Sequence, residues 1–357
     1  MKLNNKGTLS DTEREKLKSR IIRSARILRE NRKIKQRARL LYGAAASIVI
    51  LFGVFSVFDM LGEQSLQDFV DEDAPFIDVS KSNQVTVVLG EGKKVQLKEK
   101  NNTLKYSPTG KDLQVGTGEK YRQILKDEDK PIFNTILVPY GKRTDVTLSD
   151  GTKVWINSGS RLVYPVVFKG DRREVYLEGE AIFEVSHNPK RPFLVLSSNQ
   201  EVEVLGTVFN ISSYREDEKT STVLKSGSVL VTYAKDDGKS FKITPGTRSS
   251  YNSTTKEIDI QYAVNMDEYF GWRKGFFSFQ KNDLKYIATK LSRYYGVEII
   301  VKGEQLSKDT YSGKIDLKED VYSVIQTLGK AYHFTMERQA DKIILITTQQ
   351  IYKTPSQ

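Results

Sequence analysis

The sequence predicts a multidomain membrane protein: an N-terminal cytoplasmic helix, a single transmembrane helix, an all-β periplasmic domain and a small C-terminal α+β domain. Three observations lead there. Residues 41–58 form an uncharged apolar run, and the charges on its two sides have opposite sign. Beyond it, short alternating apolar runs are broken by Gly, Asn, Asp and Pro, the texture of β structure. After Val264 that texture gives way to a mixed pattern with two capped helices.

The first part, residues 1–40, is basic. It holds fourteen Lys and Arg against four Asp and Glu, which accounts for nearly all of the net charge of +11 on the 357-residue chain. The rest of the chain is almost neutral, so no basic surface for nucleic acid follows from the overall charge. Ser10 can cap a helix, with Glu13 at the reciprocal capping-box position. Leu17, Ile21, Ala25 and Leu28 recur at helical spacing and make one thin apolar stripe. Such a stripe cannot build a core of its own. The segment therefore either docks the stripe on a partner or serves as a basic helix that sets topology. It has no aromatic side chain for base stacking and no helix-turn-helix spacing, which argues against direct nucleic-acid binding.

Residues 41–58 come next and read LYGAAASIVILFGVFSVF. As a helix they span about 27 Å, close to the hydrocarbon thickness of a bilayer. Arg32, Lys33, Lys35, Arg37 and Arg39 stand before the run; Asp59, Glu63, Asp68, Asp71, Glu72, Asp73 and Asp78 follow it before the first basic residue, Lys81. Basic residues stay on the cytoplasmic side. The expected location is thus the inner membrane, single-pass, with the N-terminus cytoplasmic and the C-terminus periplasmic. A cleaved signal peptide fits less well, because the leader is long and residues 58–62 offer no small-x-small site. A buried core helix is the remaining alternative.

Residues 59–80 are acidic and poorly periodic and read as a linker. Residues 81–264 form the β-rich domain. The segment 87–97 echoes 146–156, each a strand, a Gly-containing turn and a strand. In the second copy Ser149-Asp150-Gly151 makes the turn, Val154 and Ile156 face one side, and Trp155 faces the other. At least eight strands follow between residues 147 and 233, with Gly179 and Gly206 at corners, and Pro245-Gly246 makes one more turn beyond them.

Residues 265–350 open with Tyr269, Phe270 and Trp272, read as an aromatic hinge between domains. A strand at 276–279 precedes a helix capped by Asn282-Asp283 and closed at Gly296. Strands at 297–301 and 311–315, a helix from Asp320 and a final hairpin complete the order β-α-β-β-α-β-β. That order suits a small module with its helices on one sheet face.

No catalytic, cofactor-binding or metal-binding residues emerge, so the chain reads as a non-enzyme without a cofactor. It has no cysteine, which excludes disulfides, thiol chemistry and Cys-type metal sites. Its two histidines are far apart in sequence, His187 in a polar loop and His333 on a strand face. Glu178, Glu180 and Glu184 read as solvated or salt-bridged charge on a shared strand face. Gly116-Thr117-Gly118 lacks the rest of a nucleotide fingerprint, and no nucleophile-elbow motif is present.

The chain resembles the FecR-like anti-sigma factors, in the Bacteroidetes-type form with its characteristic C-terminal α/β domain. The likeness rests on Asp150-Gly151-Thr152-Lys153-Val154-Trp155-Ile156-Asn157, Leu177-Glu178-Gly179-Glu180-Ala181-Ile182-Phe183-Glu184-Val185, Val204-Leu205-Gly206-Thr207-Val208-Phe209-Asn210 and Pro245-Gly246. It extends to Leu291-Ser292-Arg293-Tyr294-Tyr295 and Tyr311-Ser312-Gly313-Lys314-Ile315. The resemblance marks Gly151, Trp155, Gly179, Gly206 and Gly246 as structural motif positions. It implies two protein partners: an extracytoplasmic-function sigma factor on the cytoplasmic side, and the signalling domain of a TonB-dependent outer-membrane transducer on the periplasmic side. The expected output is control of nutrient-uptake genes, often with proteolysis of the regulator, which brings in an intramembrane protease. Leu17, Ile21, Ala25 and Leu28 are then the sigma-docking candidates. The tail departs from the family pattern in being short and lacking Trp. The alternative is a membrane-anchored periplasmic scaffold or binding protein with no sigma partner.

Overall fold

The computed structural model describes residues 12, 14–20, 22–23, 26, 65–73, 83–98, 103–123, 131–233, 238–303, 309–339 and 342–347. The predicted span 41–58, the basic flank from Arg32 to Arg39, and Ile21, Ala25 and Leu28 lie outside them. The chain divides into two compact units, residues 1–63 and 64–357. In the first, residues 14–20 are helical, as the capped pattern predicts. Lys18 pairs with Glu15 at 3.3 Å, one helical turn back. Leu17 and Ile22 are exposed, at 41% and 67%.

The second unit begins with a short helical segment, described below, and continues into eighteen described strands. In chain order these are β1 (Thr86–Val88), β2 (Lys94–Gln96), β3 (Thr103–Tyr106), β4 (Asp112–Val115), β5 (Glu119–Arg122) and β6 (Phe133–Val138). Next come β7 (Thr144–Thr147), β8 (Lys153–Ile156), β9 (Ser160–Pro165), β10 (Arg173–Glu184), β11 (Phe193–Leu196) and β12 (Glu201–Val204). The last are β13 (Val208–Ser213), β14 (Lys219–Ser226), β15 (Val229–Tyr233), β16 (Lys239–Ile243), β17 (Arg248–Asn252) and β18 (Ile258–Gln261). One sheet runs β2-β1-β6-β9-β10-β11-β12-β15-β16. The other runs β5-β4-β3-β7-β8-β10-β13-β14-β17-β18. Among these described strands β10–β11 and β3–β7 are the parallel pairs.

Both sheets share β10, and Gly179 is where it changes sheet. Residues 176–178 pair with β9 and residues 181–184 pair with β8. Gly179 takes φ +105°. A Cβ there would sit 2.3 Å from Ser160 Oγ and 2.6 Å from Ser160 Cα. Only glycine combines that left-handed backbone with so close an approach. The core lies between the sheets: Ile136, Leu162, Leu177, Phe193 and Val195 from one, Val154, Ile156, Phe183, Phe209 and Ile211 from the other, all buried in one cluster. Full burial of each such side chain is worth about 1.5–3 kcal/mol. Phe183 stacks on Phe209 with ring centroids 5.2 Å apart.

Alternation leaves apolar residues on the outer faces as well, and on each sheet a patch of them is covered. On the first sheet Phe133, Val163 and Tyr176 point outward and are buried against Leu66 and Val70. These two belong to a short α1 (Leu66–Asp68) that runs on as a π turn, Phe69–Asp73. Its start is a capping box: Asp68 accepts from the Ser65 backbone N–H at 3.1 Å, and Ser65 Oγ accepts from the Asp68 N–H at 3.1 Å. The middle of the expected acidic linker is therefore docked structure. Its acidic residues cap and solvate a turn whose apolar residues, Leu66, Phe69 and Val70, follow helical spacing over too few residues to stand out.

On the second sheet Trp155, Ile182, Val208 and Val223 point outward. They are covered by Val264, Met266, Tyr269, Phe270 and Trp272. Those residues lie on α2 (Met266–Phe270), the 3-10 turn Gly271–Lys274 and the approach to them. The expected aromatic hinge is thus a packed wedge, because large rings with apolar partners on both sides gain more from burial than from freedom.

The C-terminal module has the predicted order: β19 (Phe276–Asp283), α3 (Leu284–Tyr295), β20 (Glu298–Lys302), β21 (Thr310–Asp316), α4 (Val321–Tyr332), β22 (Phe334–Gln339) and β23 (Lys342–Thr347). Its strands do not form the single sheet expected. β19 pairs with β21, while β20, β23 and β22 make a separate ladder. Phe279, Leu284, Ile287, Leu291, Val324, Leu328, Phe334 and Ile343 share one core with both ladders. Asp283 caps α3 by accepting from Tyr286 N at 2.6 Å, and Gly296 closes it. His333 is the left-handed C-cap of α4, with φ +58°, rather than a residue on a strand face. The strand begins one residue later, since a helix must be ended before the chain can reverse.

Candidate functional site

Three of the sequence motifs each contribute a polar residue that the sandwich brings together. Asn157 follows β8, Glu180 lies on β10 just past the Gly179 switch, and Asn210 lies on β13, which pairs with β10. Glu180 is only 2% exposed. Its Oε2 accepts from Asn157 Nδ2 at 3.1 Å and from Lys290 Nζ at 2.9 Å, and its Oε1 accepts from Asn210 Nδ2 at 3.2 Å. Lys290 comes from α3 of the C-terminal module, so the carboxylate ties the two modules together. Burial by itself would lower the Lys290 pKa, but the adjacent Glu180 charge holds it above the ordinary lysine value. Lys290 therefore carries its charge at neutral pH.

A second ion pair lies one helical turn along α3. Arg293 donates to Asp217 Oδ2 at 2.9 Å and to Glu216 Oε1 at 2.9 Å, and its guanidinium stacks 3.8 Å from the centre of the Tyr214 ring. Tyr214 donates to the Ser158 carbonyl at 2.8 Å, and Tyr140 donates to Glu216 at 2.9 Å. Burial beside Glu216 pushes the Tyr140 hydroxyl up to about 12, so it stays a donor. The Gly141 N–H donates to the Arg293 carbonyl at 2.9 Å. Arg143 lies 3.6 Å from the centre of the Tyr294 ring and donates to the Tyr294 carbonyl at 3.2 Å. Beside the aromatic wedge, Arg273 stacks 3.3 Å from the Trp155 ring centre.

This junction fastens; it does not hold a substrate. Its cavity, lined by Asn157, Glu180, Glu268, Trp272 and Lys290, measures about 20 Å³, room for about one water. Among the described residues no group of three or more His, Asp or Glu side chains is placed to hold a metal ion. A larger open cleft of about 230 Å³ lies on the module's own surface, where β21 meets α4, lined by Phe279, Ile315, Val324, Leu328 and Tyr332 with Lys314 and Glu319 at its polar side. Of its two edges, β21 has a described partner on the β19 side.

Glu268 gives the junction a pH response. Burial raises its carboxyl above the ordinary range, against a hydrogen bond from Asn282 that lowers it. A carboxyl raised in this way stabilises the fold fully below its unfolded-state pKa and loses that contribution as pH rises through its folded-state pKa. Unfolding midpoints of Glu268→Gln should therefore gain on the parent chain as pH goes from about 4 to about 7. A difference that stays constant with pH would contradict this.

Of the residues singled out from sequence, Leu17 stands exposed on the described part of the tail helix. Gly151 makes the β7–β8 turn with φ +85°, and Trp155 joins the wedge contacts. Gly179 makes the sheet switch. At Gly206 a Cβ would come within 2.7 Å of His187 Cα, and Gly246 sits in a turn at φ +85° with open space around it. Period-two alternation puts Glu178 and Glu180 on one strand face. The structure separates them, because the chain changes sheet between them: Glu178 pairs with Arg161 at 3.1 Å on the first sheet, and Glu180 is buried at the junction on the second. Asn157, Asn210, Lys290 and Arg293 carried no functional reading from sequence. One signal was available: Ile182 and Trp155 are apolar residues pointing away from the core, and a covered outer face leaves a neighbouring charge such as Glu180 in need of a partner.

A family described as FecR protein matches residues 134–230, and one described as FecR, C-terminal matches residues 276–346. Two crystal structures of a protein assigned as an anti-sigma factor from Parabacteroides distasonis are similar to the chain, each with a TM-score of 0.56 and 28% sequence identity. Each alignment covers 60% of this chain and 99% of that one. No curated protein matches.

Proposed function

The chain belongs to the FecR-like anti-sigma factor family, and from that premise we propose that it is a single-pass inner-membrane regulator linking a periplasmic signal to a cytoplasmic sigma factor. The observation that carries this reading is the order of its parts. A basic helix with Leu17 exposed is followed by an uncharged 18-residue run, and then by the two matched modules. In this reading residues 1–40 hold an extracytoplasmic-function sigma factor through Leu17, Ile21, Ala25 and Leu28. Residues 41–58 cross the bilayer, oriented by Arg32, Lys33, Lys35, Arg37 and Arg39. Residues 81–264 and 265–350 are the periplasmic domains, which receive the signalling domain of a TonB-dependent transducer; the open cleft at β21 and α4 offers an apolar surface for that contact. The two ion pairs and the wedge make both domains respond together. Coupling across a bilayer requires a second state of the anchor or its cleavage; the cleavage route is the one that brings in an intramembrane protease.

The test is affinity capture of the full-length chain from solubilised membranes of its own cells, with mass spectrometry of what is bound. A small sigma factor should be recovered. Leu17→Glu with Leu28→Glu should reduce its recovery at least about tenfold, the loss expected for two anchor side chains in a helix-in-groove contact. If the sigma factor is never recovered, or is recovered equally with the variant, the chain is better read as an anchored scaffold.

A further inference from the structure

The outer face of the first sheet carries a cover that the chain supplies from its own N-terminal side. Leu66 and Val70 are 4% and 8% exposed against Phe133, Val163 and Tyr176, and the Phe69 ring lies 5.0 Å from that of Phe133. The hydrogen bonds described for the segment's side chains are local: Ser65 with Asp68, and Gln67 with Asp71 at 3.0 Å. Three apolar side chains therefore dock a turn that caps itself. The opposite outer face is held by one buried and one partly buried ion pair and by a cluster of rings. The two covers lie in series along the chain, and the first is the weaker.

We propose that residues 65–73 are a releasable strap that sets how far the β domain can stand from the membrane. The docking itself depends on nothing else; its consequence for distance rests on the reading that residues 41–58 cross the bilayer. With the strap docked, seven residue steps separate Phe58 from Ser65. That length of chain reaches at most roughly 25 Å. With the strap released, the next anchored strand is β1 at Thr86, and the same tether can reach roughly 90 Å. Load applied between the membrane tether and the C-terminal module passes through both covers, and the strap yields first. Release lengthens the tether, uncovers Phe133, Val163 and Tyr176, and turns a folded segment into extended chain that a protease can bind.

The experiment uses the full-length chain in lipid discs. Hydrogen exchange at residues 66–73 should show protection in the parent chain. Leu66→Asp with Val70→Asp should speed that exchange at least about tenfold, the factor that about 1.4 kcal/mol of docking energy supplies, while β10 and β13 keep their protection. If the double variant disturbs β10, Phe69→Ala carries the same test with a smaller perturbation. Because the chain has no cysteine, Lys242→Cys provides a single labelling site on the sandwich. Energy transfer from a dye in the lipid surface to that label should fall in the strap variant. Exchange that is already unprotected in the parent chain, or unchanged in both variants, overturns the strap. Faster exchange with unchanged transfer overturns its role in setting distance. Neither readout involves the sigma factor, so failure of sigma recovery and failure of the strap are told apart.

Discussion

Replacing Glu180 with Ala lowers the stability of the folded chain by about 3 kcal/mol, the lower end of the cost of breaking a buried ion pair. The lower end applies because the Lys290 side chain keeps 21% exposure and water recovers part of its charge solvation. Three donors then lose one acceptor: Lys290 Nζ, Asn157 Nδ2 and Asn210 Nδ2. For a unit of this size the loss reads as a fall of roughly 5 °C in Tm. The diagnostic step is the double variant. Glu180→Gln keeps an amide oxygen for an asparagine donor, and Lys290→Met removes the orphaned charge while filling its volume. Together they should be at least about 1 kcal/mol more stable than the sum of the single changes predicts. Additive single effects would mean that the pair is not what joins the modules. Hydrogen exchange adds a spatial readout: in Glu180→Ala, α3 should lose protection before β10 does.

Gly179→Ala has a still larger expected effect, at least about 4 kcal/mol, seen as a collapse in the yield of folded protein or in its unfolding midpoint. Two costs combine. The left-handed backbone at φ +105° penalises any Cβ, and the new atom would lie 2.6 Å from the Cα of Ser160, which is backbone and cannot turn aside. Gly246 separates the two costs. It has φ +85°, and a methyl group added there would meet no atom within 4 Å. Gly246→Ala should therefore cost only about 1–2 kcal/mol, the conformational penalty alone. Equal costs at the two glycines would show that the close approach to Ser160 contributes nothing.

Gly179 also shows where sequence reading reaches its limit. It is visible as a corner between two strands, 173–177 and 180–185. In the structure those strands are one continuous β10 that passes from one sheet to the other. A strand that changes sheets and two strands joined by a turn have the same apolar pattern, because period-two alternation records which side is buried and not which neighbour buries it. The same limit hides the strap. Leu66, Phe69 and Val70 lie among Asp68, Asp71, Glu72 and Asp73, and only the outward-facing Phe133, Val163 and Tyr176, far along the chain, give them a partner.

Local sequence sets the order and type of the described elements: a helix near the N-terminus, a β-rich domain with its Asp150-Gly151 hairpin, and the β-α-β-β-α-β-β module with Asp283 and Asp320 as helix caps. It does so through backbone conformations that Gly and Asp favour and through the spacing of apolar residues. Long-range packing settles the rest: which outer faces are covered, that Glu180 meets Lys290 across 110 residues of chain, and that the module's strands split into two ladders. Those outcomes depend on burial of surfaces distant in sequence. Burial energy is non-directional, so no local pattern names the partner that supplies it.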